Sequence, residues 1–192
     1  MLCAHRHRGK VERAYMVKLP AILAFDPGGK TGWCSYDVET PSKGNIQECD
    51  LQRGQFEGDD YHQKLFDFLI KAAETRIIAP LHIVCERFQF RKEEQYRDKI
   101  DYKAVEYIGV IRLFAKIYRN SGVRLIEQGA AQACGETAFF GDNKKAPYGG
   151  NERLKELGLW LPGQPHAMDA TRHYAYYRTF TLKDQTYLYA LR

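Results

Sequence analysis

Apolar residues recur along this chain with two periods. "PAILAFD" (20–26) and "LHIVCE" (81–86) are short, continuous apolar runs, the pattern of strands buried on both faces, and "VRLIEQ" (123–128) reads as a further short strand. "TGWCSYDVE" (31–39) alternates after a tight glycine turn and predicts the strand that follows the first. "NIQECDLQRGQF" (45–56) predicts a third, reached through the Pro41–Gly44 turn. The first three strands therefore read as an antiparallel meander. Helical spacing takes over at 60–76, where Leu65, Phe66, Leu69, Ala72 and Ala73 share a face. It returns from Asp101, with Ala104, Val105, Ile108, Ile111, Phe114, Ala115 and Tyr118, until Asn120-Ser121-Gly122 stops it. "FFGDNKKAPYGGN" (139–151) is a polar, glycine-rich loop, and Pro165 opens a last helix, "PHAMDATRHYAYYRTF". Three strands, then helix, strand, helix, strand and helix predict an α/β fold, a mixed sheet with helices on its faces.

With 192 residues, 44% of them hydrophobic, the chain is the size of one domain with a real core. Its longest apolar runs are strand-sized and broken by charge. The N-terminus has no apolar stretch followed by a cleavage site, so a cytoplasmic protein is expected. Cys3, Cys34, Cys49, Cys85 and Cys134 are scattered, without a C-x-x-C pair or Cys/His clustering. That argues against a disulfide framework and a structural zinc, and agrees with a reducing compartment. The formal net charge is +5, and +4 of it falls in residues 1–20, where Arg6, Arg8, Lys10, Arg13 and Lys18 face Glu12. Residues 1–20 thus read as a weakly restrained basic extension, 21–180 as the folded domain and 181–192 as a C-terminal tail. Met16, just ahead of "VKLPAILAFD", leaves open that residues 1–15 are an upstream misreading of the start.

The chemistry lies at the ends of two strands. "ILAFD" and "HIVCE" each run apolar residues into one terminal carboxylate, Asp26 and Glu86. A buried carboxylate is costly unless it is paired, caps something or holds a cation. If the strands are neighbours, both acids emerge at one edge of the sheet. On the last helix His166 and Asp169 are three apart and share a face, with His173 a further turn along. Oxygen and imidazole donors suit Mg²⁺ or Mn²⁺. Two such ions, roughly 3.5–4 Å apart, would activate a water and stabilise the leaving oxygen of a phosphodiester. Taken singly, each residue has a plainer role: Asp26 in an Asp-Pro-Gly turn, Glu86 paired with Arg87, His166 as a first-turn cap, Asp169 on the helix dipole, His173 packed or facing solvent. Their joint occurrence favours a metal site. Lys144 and Lys145 in the glycine-rich loop, and Lys155 beyond it, are candidates for phosphate contacts or charge stabilisation, or else form a solvated charged surface.

"FDPGGKTGW", "VCERF" and "PHAMDATRH", in this order, resemble the signature of the RuvC-type Holliday junction resolvases of the ribonuclease H-like superfamily, most of all their phage-borne branch. The resemblance spans about Ile22 to Tyr177. It implies a five-stranded mixed sheet in the order 3-2-1-4-5. It also implies that Asp26, Glu86 and Asp169 are catalytic, metal-holding carboxylates, with His166 at a fourth position where the family carries His or Asp. A homodimer formed through helix 101–120 is implied too, nicking four-way DNA junctions with two Mg²⁺ or Mn²⁺ ions per site in a host cytoplasm. Phe88 and Phe90 stand where the family carries an aromatic that wedges into the junction; beside them Arg87, Arg91 and Lys92 could neutralise phosphates, or the two rings could pack as strand residues. The family's catalytic lysine finds no clear counterpart between Glu127 and Leu161. An RNA- or flap-directed nuclease of the same fold, and an actin-like or sugar-kinase-like phosphotransferase, are the competing readings. The second needs two such domains, and this chain has the length of one.

Overall fold

The computed structural model describes residues 20–36, 51–56, 61–74, 80–88, 102–141, 149–184 and 187. In chain order the elements are β1 (Ala21–Asp26), β2 (Thr31–Tyr36), β3 (Leu51–Phe56), α1 (Tyr61–Glu74), β4 (Leu81–Glu86), α2 (Tyr102–Ile117), β5 (Val123–Gln128), α3 (Ala130–Ala133), α4 (Gly150–Glu156) and α5 (Pro165–Tyr176). The five strands form one sheet in the order β3-β2-β1-β4-β5. The β1–β2 and β2–β3 pairs are antiparallel, and β4 and β5 run parallel to β1. The expected meander and strand order are both present.

Strand β1 is the middle of the sheet and is covered on both sides, which is why its sequence is a continuous apolar run rather than an alternating one. Its side chains still alternate between two cores. Ala21, Leu23 and Phe25 enter the core under α1 and α2, while Ile22 and Ala24 enter the core under α5. The same parity holds in β4, where Leu81, Ile83 and Cys85 face the first core and Val84 the second. Asp26 and Glu86 therefore belong to the α5 face, and so does Gln128 at the end of β5. The parallel register sets Phe25 beside Cys85 and Glu86 beside Gln128, so three polar residues end three adjacent strands on one face.

Two contacts bind this edge to the helices. The turn after Asp26 is clamped by Tyr61 of α1, whose hydroxyl accepts from the Thr31 N–H at 2.8 Å and donates to the Gly29 carbonyl at 3.2 Å. On the other face Gly32, opposite Asp26 in the β1–β2 ladder, lets the first turn of α5 lie directly on the sheet. A Cβ at Gly32 would sit 1.9 Å from the His166 carbonyl oxygen. Helix α5 begins at Pro165, where a missing N–H costs nothing, and eight of its twelve residues are buried.

The chain then tightens into a π-helical turn, Tyr177–Thr181. There Arg178 is buried among Tyr36, Tyr174 and Tyr187 and paired with the equally buried Asp184. Asp184 and Tyr187 fall within the expected tail, yet both are buried, Tyr187 as a member of the second core. Gly150 and Asn151, expected in a loop, open α4. Helix α2 carries two apolar stripes where the sequence suggests one. Ala104, Tyr107, Ile108, Ile111, Phe114 and Ala115 face inward, whereas Tyr102, Val105, Leu113 and Ile117 are exposed.

Candidate active site

Asp26, Glu86, His166 and Asp169 come together where the C-terminal ends of β1 and β4 meet the first turns of α5. His166 Nδ1 lies 3.2 Å from Asp26 Oδ2. Asp26 is within the electrostatic reach of both Asp169 and Glu86, and hydrogen-bonds Glu86. Burial, then the charges of those two acids, push the Asp26 carboxyl up to about 8; Arg172 offsets part of the rise. The cluster is thus an excess of negative charge at a half-closed sheet edge.

Each acid has a partner of its own. Glu86 Oε2 accepts from His173 Nε2 at 3.0 Å, and the other ring nitrogen, Nδ1, faces the side-chain oxygen of Gln128 at 2.9 Å. His173 is fully buried; the plainer expectation of a packed histidine holds for its burial but misses this bond to Glu86. Asp169 is held by Arg172, a buried arginine that also donates to the Phe140 carbonyl (3.0 Å) and to Asn151 Oδ1 (2.7 Å). One guanidinium thereby ties α5 to the segment before α4 and to α4 itself, fixing Asp169 from behind. No three of the donor atoms of Asp26, Glu86, His166 and Asp169 lie within 4.8 Å of one another. Among the described residues the group that does is Glu86, Cys134 and His173.

Cys134 is a member the sequence does not announce. Its nearness to His173 arises from α3 packing on α5, so the absence of Cys/His clustering along the chain does not carry over into space. Burial, and then the charges of Asp169, Glu86 and Asp26, push its thiol well above the usual range, and the S–H faces the Asp169 carbonyl at 3.7 Å. Beside it stand the carboxylates of Asp26, Glu86 and Asp169 and the imidazoles of His166 and His173. Oxygen and nitrogen donors of this kind fit a hard divalent cation, and the mutual repulsion at Asp26 is what such a cation relieves.

The other expected residues divide. Lys155 is exposed, pairs with Glu152 at 2.7 Å, and has its Nζ 5.6 Å from the centre of the Trp160 ring. Arg87 is exposed just past Glu86, its N–H donating to the Gln128 carbonyl at 2.6 Å. Phe88 is half-buried against the first core. Phe90, Arg91, Lys92, Lys144 and Lys145 lie outside the described residues. Sequence reasoning missed Arg172, Gln128 and Cys134. For two of them a signal was present: Arg172 stands three after Asp169, and Gln128 closes β5 as Asp26 and Glu86 close their strands.

A five-stranded 3-2-1-4-5 sheet with helices on both faces, carrying acids at its edge beside the last helix, is the ribonuclease H-like fold. Solved structures with this architecture include that of Thermus thermophilus RuvC in complex with a Holliday junction substrate, 15% identical, with a TM-score of 0.54 over 85% of this chain and 98% of that one. A second Thermus thermophilus RuvC structure is 18% identical, with a TM-score of 0.50 over 84% of this chain and 96% of that one. No protein-family model and no curated protein matches the sequence. At these identities the likeness is one of fold. No helix among the described residues is long and apolar enough to cross a membrane.

Proposed function

We propose that this chain is a metal-dependent, structure-selective DNA endonuclease that resolves four-way junctions by phosphodiester hydrolysis. The observation that carries the reading is the meeting of two strand-end carboxylates, Asp26 and Glu86, with His166 and Asp169 of α5 at one edge of a RuvC-like sheet. A junction substrate is suggested by the RuvC neighbour solved with one. Asp26, Glu86, Asp169 and His166 hold two Mg²⁺ or Mn²⁺ ions. When bound, such ions lower the pKa of an attacking water and neutralise charge on the leaving oxygen.

The chain's own contribution is positioning. The rigid strands β1 and β4 hold Asp26 and Glu86, His173 orients Glu86 from below, and Arg172 orients Asp169. Because Asp26 keeps its proton up to about pH 8 without a cation, metal uptake displaces that proton and strengthens as pH rises. Arg87, exposed just past Glu86, and the exposed Lys155 contact phosphates. Phe90, Arg91, Lys92, Lys144 and Lys145 keep the DNA-binding roles read from the sequence. The exposed stripe of α2, with Gly109 open in its middle, is the homodimer contact.

The test is a substrate panel: four-way junction, linear duplex, flap and RNA–DNA hybrid, each with Mg²⁺, Mn²⁺, Ca²⁺ or EDTA. Paired nicks near the branch point are expected with Mg²⁺ or Mn²⁺, and binding with little cleavage in Ca²⁺. Preferential cutting of the hybrid or flap would reassign the substrate within the same chemistry. Failure to cut any nucleic acid would refute the reading.

A further inference from the structure

A cleft of about 540 Å³ opens beside the candidate active site, and Asp169 forms part of its wall. Its volume lies within the roughly 300–1,000 Å³ range of pockets that enclose a small molecule. Cys134, Asn151 of α4, the Trp160–Gln164 connection, and Pro165, Met168 and Arg172 of α5 complete the lining. Pro162 and Pro165 stiffen the connection, and the Leu161 N–H is anchored on Met168 Sδ at 3.1 Å. The cleft is therefore built on restrained backbone, joined to the acids through one shared residue.

We propose that this cleft receives the base of a nucleotide adjoining the scissile phosphate, with Trp160 as its stacking surface; the inference rests on the nuclease reading above. Three features fit a nucleobase. Trp160 is half-buried, presents an aromatic wall, and has no hydrogen bond on its indole nitrogen among the described residues. Gln164 brings an amide group of the kind that reads base edges. Gln164 Oε1 is buried with no partner, an acceptor that a base amino group satisfies once the half-exposed side chain rotates toward the cleft. The arrangement gives the enzyme a means of preferring certain nucleotides at the cut, separate from the acids that hold the metal.

The experiment uses four-way junctions carrying 2-aminopurine at successive positions beside the branch point, titrated with protein in Ca²⁺. Wild type is expected to quench the probe at one position, where the base enters the cleft. W160A should abolish that quench and weaken binding about tenfold, as loss of one stacked base does. In parallel, junctions carrying 5-iodouracil at the same positions are photocrosslinked to the wild-type protein and the adduct mapped; this arm needs no variant and decides the matter if W160A does not fold. A crosslink at Trp160 supports the proposal. Crosslinks elsewhere only, or the same quench in wild type and W160A, overturn it while leaving the nuclease reading intact. Wild-type protein that binds no junction overturns both.

Discussion

Replacing Asp26 with asparagine removes a titratable carboxyl from the acid cluster while keeping the side chain's size, so the electrostatic cost of the site can be read directly. In the folded chain the Asp26 carboxyl ionises at about 8 rather than 3.8. Between those two values the folded protein binds a proton here that the unfolded chain has lost. Stability of the metal-free wild type therefore falls as pH rises through this window: no penalty applies below about pH 4, and the full penalty applies above about pH 8. At roughly 1.4 kcal/mol per pKa unit, the penalty reaches about 4 kcal/mol at pH 7 as a ceiling. Sharing of protons among Asp26, Glu86 and Asp169 brings the expected gain for D26N to about 2–4 kcal/mol. Urea unfolding in EDTA at steps from pH 4 to pH 8 measures it. The D26N and wild-type curves should converge near pH 4 and separate steadily above it. Added Mg²⁺ should stabilise the wild type much more than D26N, and D26N should bind junctions without nicking them. Parallel stability curves across the whole range would refute the electrostatic account, and unimpaired cleavage by D26N would refute the site.

Three further outcomes follow from the packing. G32A drives a Cβ into the His166 carbonyl, so melting should show a loss of about 1–3 kcal/mol and nicking should fall more than tenfold as the first turn of α5 shifts. D184A leaves the buried Arg178 without its counter-charge, and a loss of about 3–5 kcal/mol in urea unfolding is expected; a loss below about 1 kcal/mol would mean that the segment after the π-helical turn is not part of the core. L113E combined with I117E places charges on the outward stripe of α2 and should convert a dimer to a folded monomer in sedimentation, whereas an unchanged sedimentation profile would move the interface elsewhere.

The order of elements, the two acid-tipped strands and the His166/Asp169 spacing are legible in the chain because they are local: apolar period sets strand or helix, and i to i+3 spacing sets a helical face. Strand parity is legible too, in principle, since Asp26 and Glu86 each stand an even number of residues from the apolar positions that share their face. Register is not. That Asp26 comes level with Glu86, and Glu86 with Gln128, depends on how parallel strands far apart in the chain are paired, and no local pattern carries that.

The supporting residues show the same division. His173, Arg172 and Cys134 acquire their meaning from what α5 is packed against, and buried positions accept many residue types until their neighbours are known. Gly32 is the clearest instance. In the chain it is one glycine of a turn; in the fold it is the point where α5 touches the sheet, bringing His166 to Asp26. The sequence by itself determined which elements form and which acidic and imidazole side chains stand at their ends. Only the tertiary structure decided that they meet, because the close approach of α5 to β2 and the parallel pairing of β1, β4 and β5 are long-range packing choices, governed by shape and burial across the whole chain.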